Sequence, residues 1–191
     1  MPNTSPQNRP QPATGRRPRL VVPERVRWAI EGLDPAGAEE ILEIGGGPGV
    51  AAALVCERLT TGRLVAVDRS RVATERIAKR NTAHIDSGRL TLQQCSLAAL
   101  AVPPRSFDKA FAINVNLFWV ADPSRELQVL SRALRPSGVL YILFGAGGPT
   151  GADRITGPIG AALHEHGFTD VTVVTADAGI GVTARAPATI P

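Results

Sequence analysis

Three glycines at alternate positions, Gly45, Gly47 and Gly49, stand in the segment Ile41-Leu42-Glu43-Ile44-Gly45-Gly46-Gly47-Pro48-Gly49-Val50, where an apolar run gives way to a helical one. A backbone without side chains lets a ligand approach closely, and the free N–H groups of a helix start can serve it as donors. Nineteen residues past Gly49 comes Asp68, at the end of the apolar run Leu64-Val65-Ala66-Val67. A carboxylate in that place accepts both hydroxyls of a ribose. Glycine turn and acid together point to an adenosine-type cofactor at the switch point between strands one and four of a sheet. Counted as a dinucleotide fingerprint, GxGxxG, the third position falls on Val50. A nicotinamide oxidoreductase is therefore the weaker reading.

The elements needed to position these residues are legible along the chain. A short helix starts near Pro23, with Val26, Ala29, Ile30 and Leu33 at helical spacing, and Asp34-Pro35-Ala36-Gly37 breaks it. Strands are expected at Glu40–Ile44, Leu64–Asp68, Leu90–Gln94, Phe107–Ile113 and Val139–Phe144, with helices over 50–59 and 71–81 between the first three. A further helix takes Asp122 as N-cap and Pro123 as its first residue, carries Leu127, Leu130 and Leu134 on one face, and ends at Pro136-Ser137-Gly138. The last helix carries Ile159, Leu163 and His166 and stops at Gly167. Val171–Thr175 and Gly181–Ala186, around Asp177-Ala178-Gly179, read as a hairpin. Alternating strands and helices closed by a hairpin predict an α/β fold: a doubly wound, mostly parallel seven-stranded sheet with an antiparallel terminal strand.

The glycines read GxGxG, with Glu43 two residues before the first, and this segment resembles motif I of the class I S-adenosylmethionine-dependent methyltransferases. Asp68 resembles the ribose-binding acid of that family, Ser106-Phe107-Asp108 through Asn114 its fourth strand, and Leu134-Arg135-Pro136-Ser137-Gly138-Val139-Leu140 its Leu-Arg-Pro-Gly-Gly segment. The resemblance spans roughly residues 38–186 and implies a Rossmann-like methyltransferase fold with S-adenosyl-L-methionine as cofactor. Carried over by position, it implies that Gly45, Gly47 and Gly49 line the methionine and ribose, that Glu43 binds the amino group, and that Asp68 holds the ribose. It also puts Arg69 and Leu97 against the adenine and Asn114 near the sulfonium. Where the family usually has Gly-Asp after strand three, this chain has Cys95-Ser96. A serine accepts a neutral hydrogen bond, weaker than one to a carboxylate.

The methyl acceptor is expected beyond strands four and five, at Asn114-Val115-Asn116-Leu117-Phe118-Trp119. Asn116 is a candidate for orienting it. Phe118 and Trp119 either wall its pocket or pack under the following helix, the second being expected for one of the two. The segment lacks the Pro-Pro-aromatic core of the type used on exocyclic and amide nitrogens, which argues against DNA adenine and glutamine side chains as acceptors. His84, His164 and His166 fall away from the expected cleft, so no general base is assigned. Only residues 20–37 and the Gly145–Thr156 loop are available as a substrate cap. That suits a small acceptor, an open site, or a lid from a second subunit of a homo-oligomer.

Composition bounds the remaining alternatives. The chain has 191 residues, 43% hydrophobic and 20% charged, room for a single globular domain. Residues 1–20 hold Arg9, Arg16, Arg17 and Arg19 and no acid, so this segment accounts for the whole net charge of +4. It reads as a disordered basic tail, with 21–37 a cap helix and 38–191 the cofactor-binding domain. Because the remainder is neutral, nucleic acid is not an expected partner and the acceptor is expected to be a small molecule. The two cysteines, Cys56 and Cys95, form no disulfide framework, and no cluster has metal-ligand spacing. No membrane span and no apolar leader are seen, which suggests a cytoplasmic protein. Two alternatives stay open: a non-catalytic or regulatory S-adenosylmethionine-binding protein, supported by Ser96, and methylation of RNA or protein guided by the basic tail.

Overall fold

The computed structural model describes residues 21–146 and 152–189. The basic tail and most of the glycine-rich loop after residue 145 lie outside the described residues. In chain order the elements are α1 (Glu24–Leu33), β1 (Glu40–Ile44), α2 (Val50–Arg58), β2 (Arg63–Val67), α3 (Arg71–Arg80), α4 (Thr82–Asp86) and β3 (Leu90–Gln93). A 3-10 turn at Leu97–Ala99 leads to β4 (Phe107–Ile113), α5 (Leu117–Val120), α6 (Ser124–Ala133), β5 (Leu134–Gly145), α7 (Ala152–Glu165), β6 (Thr169–Ala176) and β7 (Gly179–Arg185).

The seven strands form one sheet in the order β3-β2-β1-β4-β5-β7-β6. Pairs from β3 to β5 are parallel, and β7 is antiparallel to both of its neighbours. The chain moves outward from β1 to β3, then returns to lay β4 on the other side of β1. The loops after β1 and β4 therefore diverge and leave a crevice between them. Both sheet faces are covered, so the central strands carry apolar residues facing either way. Ile41, Leu64, Ala66 and Phe111 pack with Ile30, Leu33, Val55 and Ile77 from α1–α3. Leu42, Ile44, Ala110 and Ile142 pack with Phe118, Leu127, Leu130, Ile159 and Leu163 from α5–α7. Alternation puts Glu43 on the face of Ile41, in the layer of α1–α3.

Several expectations need correction. The N-cap position of α6 is Pro123, not Asp122. Asp122 still serves the helix start from one residue earlier: its Oδ1 accepts from the N–H of Ser124 at 3.0 Å and from the Ser124 hydroxyl at 2.5 Å. Leu134 opens β5 instead of closing α6, paired with Phe107. Pro136 disfavours the helical conformation at the residue before it. The segment Pro136-Ser137-Gly138 becomes an irregularity inside β5, with Ser137 at φ 61°. A side chain at 138 would lie 2.9 Å from the carbonyl of Arg135. The hairpin is tighter than expected, with β6 and β7 separated only by Asp177 and Ala178. The short α4 and α5 and the 3-10 turn were not foreseen, because segments of three to five residues carry no periodic signal.

Candidate functional site

Gly45, Gly47 and Gly49 all take left-handed backbone conformations, at φ 71°, 50° and 75°. Close approach adds a second requirement at two of them. A Cβ at 45 would lie 2.6 Å from Cγ2 of Val115, and one at 49 would lie 2.9 Å from the Cα of Ile77. At Gly47 the corresponding space is open. The turn is tied down from α3 and its C-cap. Nδ2 of the buried Asn81 donates to the carbonyl of Gly49 at 3.0 Å and to that of Ile77 at 2.9 Å, and Nε of Arg80 donates to the carbonyl of Pro48 at 2.7 Å.

Asp68 follows β2 and faces this turn. Its Oδ2 accepts a long hydrogen bond from the N–H of Gly47 at 3.4 Å, and its Oδ1 accepts from the N–H of Ser70 at 2.9 Å. Behind the turn lies Glu43, only 3% exposed, with Oε2 lacking any hydrogen-bond partner. Burial, and secondarily the nearby charge of Asp68, pushes its carboxyl up to about 8. At neutral pH Glu43 is therefore mostly protonated. A Cβ on Gly46 would sit 3.3 Å from the carboxyl carbon, so this part of the turn lies directly over it.

A cleft of about 630 Å³ opens at the crevice between β1 and β4. Of the residues singled out from the sequence, Gly45, Asp68, Arg69, Ser96, Leu97, Asn114 and Asn116 line it. Glu43, Gly47, Gly49 and Trp119 do not. Phe118 is buried in the core, and Trp119 packs half-buried against it with its indole N–H enclosed and unpartnered. Both aromatics of this segment thus serve packing, and the apolar wall comes from Val115, Leu117 and Val120. Asn114 is at φ 59°, and its Oδ1 accepts from the N–H of Gly145 at 2.8 Å, which ties the end of β4 to the end of β5.

Two further polar residues line the cleft, Glu126, to which no motif in the sequence points, and Cys95. Glu126 reaches it from the first turn of α6, and Cys95 precedes Ser96. Glu126 lies off the Leu127–Leu130 stripe and reads as solvent-facing in the sequence, so only the placement of α6 could reveal it. A larger groove, about 950 Å³, runs along α6 past Arg125, Gln128, Arg132 and His166, away from the glycine turn. His84, His164 and His166 are all absent from the lining of the cleft. Among the described residues no cluster suits a metal ion, and no helix is long and apolar enough to cross a membrane.

A doubly wound sheet reversing between β1 and β4, with β7 running against its neighbours and a glycine turn facing an acid after β2, defines the class: the fold of the class I S-adenosylmethionine-dependent methyltransferases. Residues 41–138, just over half of the chain, match the family model described as a methyltransferase domain, and the chain belongs to that family, with S-adenosyl-L-methionine as cofactor. It is 25% identical over 171 residues to the methyltransferase YdaC of Bacillus subtilis (strain 168), covering 85% of this chain and 92% of that one. A SAM-dependent methyltransferase from Aquifex aeolicus shares the fold at a TM-score of 0.72 and 16% identity, over 85% of this chain and 91% of that one. A SAM-dependent O-methyltransferase from Thermotoga maritima does so at 0.68 and 15%, over 90% of this chain and 68% of that one.

The residues present suit this cofactor. The open space over Gly47 leaves room at the turn, Asp68 offers carboxylate oxygens beside it, and the orphaned Oε2 of Glu43 lies under the same turn.

Proposed function

We propose that this methyltransferase acts on a small-molecule acceptor by in-line displacement. When bound, S-adenosyl-L-methionine supplies an electrophilic methyl carbon on a sulfonium, which an acceptor lone pair takes as the carbon–sulfur bond breaks. The task of the chain is to align the reacting atoms and exclude water. In this reading Asp68 holds the ribose hydroxyls, Arg69, Ser96 and Leu97 surround the adenine, and Gly45 and Asn114 border the sulfonium end. Gly47 and Gly49 shape the turn, and Glu43 acts from beneath it on the amino group. Asn116, exposed at the start of α5, orients the acceptor against Val115, Leu117 and Val120.

One observation carries this reading. A single cleft runs from Asp68 and Ser96 to the segment 114–121, so cofactor and acceptor would share one cavity. A small acceptor fits the neutral balance of residues 21–191. The free cysteines fit a cytoplasmic location. Ser96 favours a second reading, a cofactor-binding protein without turnover, because the charge-assisted hydrogen bond to the adenine amine is missing.

The test is calorimetric titration with S-adenosylmethionine and S-adenosylhomocysteine, with NADH as control, followed by a screen of small acceptors for methyl transfer. Micromolar binding of the sulfur compounds with turnover supports the enzyme. Binding without turnover across oxygen, nitrogen, sulfur and carbon acceptors supports the second reading, and no binding sinks both.

A further inference from the structure

Gly145, the last residue of β5, is the cross-strand partner of Gly179, the first residue of β7. Neither has a positive φ, so neither needs to be glycine for its own backbone. At 145 the neighbour that requires glycine is α1: a Cβ would fall 2.5 Å from Cδ and 2.8 Å from Cβ of Arg25. At 179 a Cβ would meet the carbonyl of Phe144 first and then Cζ3 of Trp28, at 2.7 Å. Arg25 and Trp28 are three residues apart on α1, hence on one face. The glycine pair is a flat seat for that face.

The seat places Arg25 at the cleft end of the sheet. Helix α1 runs against β4 and β5: the carbonyl of Asp34, just past its last turn, accepts from Nζ of Lys109 near the start of β4, at 2.8 Å. The first turn therefore stands at the carboxyl ends of the strands. Gly145, under the Arg25 stem, donates to Asn114, and Asn114 lines the cleft. Of the other basic side chains around α1, Arg58 donates to the carbonyl of Ile30 and Lys109 pairs with Glu39, whereas Arg27 is exposed and, like Arg25, without a hydrogen bond or ion pair among the described residues. Arg25 is exposed, and its guanidinium makes no hydrogen bond or ion pair among the described residues.

A long cationic side chain buries its stem on apolar surface while the head stays in water. Here the stem lies on a backbone cut back to glycine, which puts Arg25, itself outside the cleft lining, at the end of the sheet where the acceptor half of the cleft opens. A planar guanidinium presents paired donors that match an oxyanion. Resting on the methyl-transfer reading above, we propose that Arg25 is a specificity-determining residue that binds an oxyanion, a carboxylate or a phosphate, carried by the methyl acceptor.

The experiment uses the full chain saturated with S-adenosylhomocysteine and titrated with inorganic phosphate, benzoate and, as the neutral control, benzamide. One of the two anions is expected to bind in the millimolar range, at least tenfold more tightly than benzamide, and which one binds separates phosphate from carboxylate acceptors. Arg25→Gln removes the charge and keeps Cβ and Cγ of the stem. It is expected to abolish the preference while leaving S-adenosylhomocysteine affinity within twofold. Gly145→Ala, which displaces the stem but keeps the charge, is expected to weaken the anion at least threefold. The proposal is overturned if S-adenosylhomocysteine binds and neither anion does, or if Arg25→Gln binds the anion as the native chain does. Failure of S-adenosylhomocysteine itself to bind overturns the methyl-transfer reading, and this proposal with it.

Discussion

The N–H of Gly47 points to Oδ2 of Asp68 across 3.4 Å, joining the turn after β1 to the tip of β2. The bond is long, so Asp68 holds its place mainly through the shorter one from Ser70, 2.9 Å. Its outer carboxylate oxygen is consequently only lightly engaged, in a cleft of the right size for a nucleoside.

Replacing Asp68 by Ala should leave the fold intact and weaken S-adenosylhomocysteine. Hydrogen bonds to a charged partner contribute about 1.5–3 kcal/mol, or roughly 10- to 150-fold in affinity. Titration of the variant beside the native protein reads this directly, and an unchanged affinity would remove Asp68 from the site.

Glu43 makes stability depend on pH. Its carboxyl, ordinarily at 4.5, is pushed up to about 8 in the folded chain by burial, with the charge of Asp68 adding to it. The folded state therefore holds the proton more tightly than the unfolded one. This contribution is fully present below about 4.5 and is lost as pH rises to about 8. At about 1.4 kcal/mol per pKa unit, the loss is on the order of a few kcal/mol. Urea midpoints at pH 5.5 and 8.5 should converge in Glu43→Gln relative to the native protein, and equal pH slopes in both would refute this assignment.

Ser96→Asp restores an acid at the place where the family usually has one. If Ser96 faces the adenine amine, the charge-assisted bond should tighten S-adenosylhomocysteine by roughly threefold to tenfold, since such bonds are about twice as strong as neutral ones. Weaker binding in this variant would move the adenine elsewhere in the cleft.

The two cysteines should behave differently toward a maleimide. Cys56 is buried, and burial, with the charge of Glu43 next in weight, pushes its thiol up to about 12. Cys95 lines the cleft, and burial raises its thiol also. Because the thiolate is the reactive form, labelling should be slow at neutral pH, quicken with pH, and fall on Cys95 alone. Bound S-adenosylhomocysteine should protect it, which mass spectrometry of the labelled peptides would show.

Much of the fold was readable from local pattern. The apolar runs of β1, β2 and β4, the alternating glycines and Asp68 lie close together in sequence or follow a fixed period, and such features survive folding unchanged. The breaks came where non-local packing outweighs local propensity. Leu134 joins β5 because Phe107 offers it a strand partner, a neighbour 27 positions away in the chain. Asp122 yields the cap position to Pro123 yet keeps its bond to the helix start.

The candidate site divides the same way. Short spacing was sufficient to bring the glycine turn and the acid after the next strand together, because they form one local unit joined by the Gly47–Asp68 hydrogen bond. The order of the sheet then decided everything that reaches the cleft from a distance. It brought Glu126 into the lining, turned Trp119 into the packing, left Glu43 buried behind the turn, and seated Arg25 on Gly145. These outcomes depend on which side chains meet after the helices dock on the sheet. That docking minimises exposed apolar surface over the whole chain, and no single segment encodes it.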